Sequence, residues 1–302
     1  MVLLLKEKMR FLFSTLLIIL YTSVLAQTSS KNEIPFQLLP SGHILVKAKV
    51  EGVEGSFIFD TGGGITLFTK TFFSKLKDTL RRDGGYTGFR ATGERLDIDL
   101  YQVKNIELGA LKKAKEEVSY LDVNLGGIDG IISLKLFETQ PFTIDFNKKV
   151  LRLETAATVA AIGKTAKPIA LQLEQSRDKS LTIFAYFKIN DALTLQFSMD
   201  SGAGKDVYRM NSKYMKLLGI DAADTVHVKK IEKRSEFNNN YVSNIYTTRL
   251  KMITVDQQPA IDVKEIPVQF VDGLIYDGII WINWLGSSLT FDLQNKKLLV
   301  IR

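Results

Sequence analysis

The sequence predicts an all-β fold with a few short helices, built as two tandem lobes of similar design. Three observations carry this expectation. First, an apolar strand ending in an acid is written twice, as Ser56-Phe57-Ile58-Phe59-Asp60-Thr61-Gly62-Gly63-Gly64 and as Thr194-Leu195-Gln196-Phe197-Ser198-Met199-Asp200-Ser201-Gly202-Ala203-Gly204. Second, each copy leads into an apolar pair and a short amphipathic segment, then into Asp129-Gly130-Ile131-Ile132 or Asp277-Gly278-Ile279-Ile280. Third, each half closes on a strand and tight turn, Phe142 to Leu151 and Leu289 to Leu299, with Asp-Phe-Asn-Lys-Lys in one and Asp-Leu-Gln-Asn-Lys-Lys in the other. These features keep their order at an offset of roughly 140 to 150 residues, which reads as duplication of a whole domain. A chain of this length should contain an Asp-Ser/Thr-Gly tripeptide only about 0.1–0.2 times by chance.

Taken in order, the chain starts with a secretory signal pattern. Lys6, Lys8 and Arg10 precede an apolar run from Phe11 to Leu20, and Val24-Leu25-Ala26 supplies small residues for cleavage. Residues 1–26 are therefore expected to be removed on export, leaving a secreted or periplasmic chain with no stable membrane insertion. Gln27 rather than Cys follows, which argues against a lipid anchor at this site.

His43 to Val50 alternates as a strand, Glu51 to Gly55 turns it, and the next strand delivers Asp60. Leu181 to Ile189, a turn at Asn190-Asp191, and Thr194 to Asp200 repeat this hairpin. Behind the first acid, Leu67-Phe68 leads to a helix with Thr71 as N-cap before Phe72, Phe73 and Leu76. Behind the second, Val207-Tyr208 leads to one with Asn211 as N-cap before Tyr214, Leu217 and Leu218. Residues 83–95 hold Gly84, Gly85, Gly88 and Gly93 around Tyr86, a density that marks a mobile hairpin tip. The matching stretch, Ser235 to Ser243, has Asn238-Asn239-Asn240 and no glycine. Thr155 to Ala166 reads as a linker of small residues before Pro168, with the lobe boundary near Ala160, giving lobes over 27–160 and 161–302.

Composition narrows the chemistry. The chain has 302 residues, 45% hydrophobic and 24% charged, enough for two modest cores. It has no cysteine, so it has neither a disulfide framework nor a thiol nucleophile. A formal charge of +7 arises partly in the N-terminal segment, and short basic runs such as Lys112-Lys113 are offset by Glu116-Glu117. Such a surface reads as solvated, and nothing in it points to nucleic acid. The two histidines, His43 and His227, read as surface or satisfied structural residues, because neither lies in a nucleophile or zinc motif. Asp145 and Asp292 stand at strand-to-turn steps and read as turn residues; Asp129 and Asp277 read as local backbone partners. No cofactor or metal is expected.

The repeated acids remain. A carboxylate at the end of an apolar strand is costly to desolvate unless hydrogen bonds or a partner manage its charge. The glycines after it bring backbone N–H groups within reach. At these residues the chain resembles the retropepsin-like and pepsin-like aspartic proteases, in which each half supplies one Asp-Thr/Ser-Gly and a later apolar-apolar-Gly element packs beside it. With both triplets in one small chain, it resembles a bacterial secreted aspartyl protease made of two fused retropepsin-like halves. The resemblance implies a bilobal acid-protease fold of two retropepsin-like β-barrel domains, self-sufficient as a monomer. It implies a catalytic dyad of Asp60 and Asp200, with Thr61, Gly62, Ser201 and Gly202 supporting it across the lobe interface. It also implies a substrate flap bearing Tyr86, Gly85 and Gly88, a single one as in pepsins. The partner would be a peptide or protein substrate. Where the family has glycine after the apolar pair, this chain has Ser133 and Trp281. Those departures leave a second reading open, a non-catalytic extracytoplasmic peptide-binding protein that keeps the fold.

Overall fold

The computed structural model describes residues 31–76, 80–235 and 240–302; the expected signal segment, 1–26, lies outside the described residues. Among them, no helix is long and apolar enough to cross a membrane. The chain is almost entirely strands, joined by short helical turns. The strands form one 15-stranded and one 8-stranded sheet.

The strand Val53–Asp60 buries Gly55, Phe57 and Phe59 on one face, because side chains alternate with period 2. Asp60 therefore falls on the opposite face from these residues, at the strand's end. Leu193–Asp200 repeats the arrangement, with Leu195, Phe197 and Met199 buried and Asp200 partly accessible. Each acid-bearing strand pairs in parallel with the later apolar strand. Asp60 stands opposite Ser133 of Gly130–Ser133, and Asp200 stands opposite Trp281 of Gly278–Trp281. Parallel neighbours of this kind need a long crossover, which the intervening residues of each half supply. Gly130 is required by close approach, since a Cβ there would lie 2.3 Å from the Leu67 carbonyl oxygen.

The halves meet in a shared antiparallel layer. Phe142–Asp145 pairs with Ser288–Asp292, and Thr143 lies opposite Thr290 with their hydroxyls 2.7 Å apart. The rings of Phe142 and Phe291 stack beside them at 5.0 Å. The repeated closing strands read from the sequence thus form the seam itself.

Several elements differ from the sequence expectation. The first helix spans Lys70–Leu76, and Thr69 rather than Thr71 caps it, its hydroxyl accepting from the Phe72 N–H at 3.2 Å. The second segment forms two 3-10 turns, Ser212–Tyr214 and Lys216–Leu218, with Asn211 capping the first as expected. The expected linker contains a helix, Ala156–Ile162, closed by a reciprocal Thr155–Thr158 cap. Its alanines favour helix, but none of its residues is buried, so it lacks the apolar stripe that would have announced it. Gly84, Gly85 and Gly88 lie within the strand Arg81–Phe89 rather than at a tip. The turn is at 90–94, where the Arg90 N–H donates to the Glu94 carbonyl at 2.8 Å. The glycines serve a backbone irregularity between Arg82 and Gly85 and a close contact at Gly88, where a Cβ would lie 3.1 Å from the Tyr86 ring.

Candidate active site

The two Asp-Thr/Ser-Gly turns face one another and are tied crosswise. The Thr61 N–H donates to the Ser201 hydroxyl oxygen at 3.0 Å, and the Ser201 N–H donates to the Thr61 hydroxyl oxygen at 2.9 Å. Each hydroxyl then donates across the interface, Thr61 to the Met199 carbonyl at 2.8 Å and Ser201 to the Phe59 carbonyl at 2.9 Å. Both side chains are fully buried, so all four bonds are shielded from water. Thr61→Val keeps the shape but leaves the Ser201 N–H and the Met199 carbonyl without partners. That change should destabilise the chain by about 2–6 kcal/mol, taking ~1–3 kcal/mol for each of the two orphaned groups. Urea unfolding measures it, and an unchanged midpoint would mean that the crosswise bonds do not hold the halves together.

This brace sets the carboxylates. Asp60 Oδ1 accepts from the N–H groups of Gly62 and Gly63 at 2.8 and 3.0 Å. Asp200 Oδ1 accepts from the Gly202 N–H at 2.7 Å. A Cβ on Gly62 would lie 2.5 Å from Asp200 Cγ, and one on Gly202 would lie 2.5 Å from Asp60 Cγ. Each carboxylate therefore rests on the glycine of the opposite half. The Asp200 carboxyl is held well above the usual carboxylate range by burial, by the charge of Asp60 and by its hydrogen bond to Asp60. The Gly202 N–H and the Arg209 charge pull the other way without prevailing.

The residues flanking the pair are also built in. Ser133 donates to the Gly63 carbonyl at 2.5 Å, fixing the turn that holds Asp60. Trp281 leaves its ladder intact, its N–H donating to the Val207 carbonyl at 3.1 Å, and its side chain is buried. His43 donates Nε2–H to the Gly202 carbonyl at 3.0 Å, so its Nδ1 accepts from the Ser41 hydroxyl at 2.8 Å. It is a satisfied structural histidine, yet it braces the second turn, which its place in the sequence did not indicate. Asp129 accepts from a backbone N–H, but that of Ser56 at 2.9 Å, distant in the chain rather than local as expected. Asp277 takes side-chain donors instead, from Tyr214 and from Lys213 at 3.2 Å.

The hairpin Arg81–Phe89 and Arg95–Val103 approaches the first acid turn through Tyr86. The Tyr86 hydroxyl is 3.0 Å from Ser180 Oγ, and Ser180 packs against Gly64, so Tyr86 reaches the end of the first acid turn. The hairpin's tip crosses to the other half. Glu94, almost fully buried, pairs with Arg90 at 3.1 Å and accepts from the Ser235 hydroxyl at 2.6 Å. The Tyr241 hydroxyl donates to the Thr92 carbonyl, and the Ile275 N–H donates to the Ala91 carbonyl at 2.9 Å. Ser235 and Tyr241 lie between the strands of a second hairpin, Lys229–Arg234 with Val242–Val255. Every residue of Lys229–Arg234 is exposed, so no apolar alternation marked it.

Residues 46–136, which carry the first acid turn, the first hairpin and Ser133, match a family model described as aspartyl protease. The chain resembles the retropepsin-like aspartic proteases. A comparison with curated proteins finds no match. Among solved structures, the chain is similar to edgp at 10% identity, covering 89% of this chain and 94% of that one, with a TM-score of 0.49. It is similar to basic 7S globulin from soybean at 9% identity, with the same coverages and a TM-score of 0.49. A retropepsin-like aspartic protease from Rickettsia conorii matches at 22% identity over 40% of this chain and 89% of its own, with a TM-score of 0.31.

Proposed function

We propose that the chain is an aspartic endopeptidase that hydrolyses peptide bonds with a water activated between Asp60 and Asp200. The observation that carries this is the crosswise seating of each carboxylate on the opposite glycine, which brings the two acids close enough for one charge to act on the other. Two such acids cannot both ionise cheaply, so they share a proton; aspartic proteases are the standard example of this coupling. Asp200, whose carboxyl is pushed up, holds the proton and hydrogen-bonds the substrate carbonyl oxygen. Asp60 takes a proton from the attacking water, and the leaving amine is protonated from the pair. Thr61 and Ser201 hold the spacing, and Tyr86 and the hairpin that carries it cover the substrate. Export through residues 1–26, lobes over 27–160 and 161–302, and action as a monomer belong to the same proposal.

The test is cleavage of a mixed peptide library by the purified chain from pH 3 to 8, with and without a statine-containing inhibitor. Cleavage that the inhibitor blocks, with specific activity constant on dilution, is the expected result. Tight peptide binding without cleavage at any pH would instead establish the non-catalytic peptide-binding reading. Activity that falls steeply on dilution would point to a site shared between chains.

A further inference from the structure

Beyond its charge acting on Asp200, Arg209 has no assigned role in the chemistry above, and its surroundings ask for a partner. It lies on the strand Tyr208–Asn211, half-buried, and its Nε–H donates to Gln269 Oε1 at 3.2 Å. A guanidinium carries five N–H donors, and buried charges in folded chains are normally paired. Among the described residues no carboxylate lies within ion-pair distance of Arg209. Burial and the like charge of Arg90 both disfavour its ionised form, while Asp200 favours it. The fold does not demand this residue. In the first half, Leu67 occupies the same place in the same ladder, opposite Ile131 as Arg209 is opposite Ile279.

Arg209 lines a cavity of about 180 Å³ beneath the hairpin tip, between Ala91 and Thr92 on one side and Ile245, Val271 and Leu274 on the other. Arg90, Lys233 and Arg234 also contribute to its wall, and among the described residues no acidic side chain does. Glu94, the nearest acid of the tip, is already bound to Arg90 and Ser235. The apolar side of the wall, Ile245, Val271 and Leu274, lowers the local dielectric below that of water, so a guanidinium there acts more strongly on an entering anion. The strand bearing Arg209 is separated from that of Asp200 by the single strand Gly278–Trp281, and the charge of Arg209 acts on the Asp200 carboxyl.

We propose that this cavity is a specificity pocket that binds a carboxylate of the peptide substrate through Arg209, selecting chains with an acidic side chain near the bond to be cut. The inference rests on the proteolytic reading for the identity of the ligand as a peptide. The rival role for Arg209 is to modulate Asp200 alone, which would affect all substrates equally.

The probes are statine-containing hexapeptides with Leu at every other position, in which Glu and then Gln is scanned through the sequence. Each is made with a free and an amidated C-terminus. Binding is measured by calorimetry at pH 6, where a free Glu side chain is ionised. The expected result is one position at which Glu binds at least tenfold tighter than Gln to the wild type. Arg209→Gln should bring that ratio below threefold while changing the all-Leu peptide by less than threefold, and Arg209→Lys should restore part of it. The wild-type Glu/Gln ratio needs no variant, so a poorly folding Arg209→Gln chain does not remove the test. A preference that follows the free C-terminus assigns the carboxylate to the chain end, and supports the pocket. Equal affinities for Glu and Gln at every position with no preference for a free C-terminus overturn the pocket, as does an equal loss for all peptides in Arg209→Gln. The same sequences with a Leu-Leu bond in place of statine separate the two readings. Cleavage without acidic preference leaves the protease and removes the pocket. Acid-selective binding without cleavage does the reverse, and no binding by any probe overturns both.

Discussion

Replacing either Asp60 or Asp200 by Asn is expected to lower peptide hydrolysis by about 10²–10⁴-fold, the range general acid–base catalysis supplies, with the fold intact. Asn cannot take a proton from water, and it cannot share one with the remaining acid. The backbone contacts survive, since an Asn oxygen can still accept from Gly62 and Gly63 or from Gly202. Wild-type activity should fall at low pH, where both carboxyls are protonated, and at high pH, where neither is. Because the Asp200 carboxyl is raised, the alkaline limb should lie above the ordinary carboxylate range. Linkage gives the sign for stability. Between the unfolded value of about 3.9 and the raised folded value, the folded chain binds more protons than the unfolded chain, so stability declines as pH rises. Asp200→Asn removes that decline. It should melt at or above the wild-type temperature at pH 7 and lose the advantage at pH 3. Rates against pH, with thermal melts alongside, check both parts. One Asn variant with near-full activity would break the shared-proton pair.

Gly62→Ala and Gly202→Ala should each cost about 100-fold in rate, the loss that a displacement of ~1 Å at a reacting centre brings. Neither glycine has the left-handed backbone that an alanine would strain, so the effect comes from collision alone. The added methyl would stand 2.5 Å from the carboxyl carbon of the opposite acid, and the pair must separate to admit it. Gly85→Ala is the contrast. A methyl there meets only the Ile98 carbonyl oxygen at 3.5 Å, an ordinary contact, so activity should stay within about threefold. Initial rates of the three variants on one peptide test the ordering. If Gly62→Ala retains wild-type activity, the seating of Asp200 on Gly62 is not what positions the pair.

The sequence by itself determined the elements whose cause is local. Period-2 alternation in Phe57, Phe59, Phe197 and Met199 set which face is buried, and so left Asp60 and Asp200 at the strand ends. The hydroxyl and glycine that follow each acid are adjacent in the chain, and the repeated order made their pairing legible. Turn positions such as Asn190-Asp191, both with positive φ, were readable for the same reason. The tertiary structure alone decided what depends on which surfaces meet. The Thr143–Thr290 seam joins residues far apart in the chain. The tip at 90–94 is fixed by Ser235, Tyr241 and Ile275 of the other half, so the glycines in the preceding strand misled. Arg209 gave no signal at all, because a lone arginine in a strand gains meaning only when distant segments remove its water and offer no carboxylate. The raised carboxyl of Asp200 has the same origin: it follows from burial and from a second charge that folding brings across the interface, which no local pattern encodes.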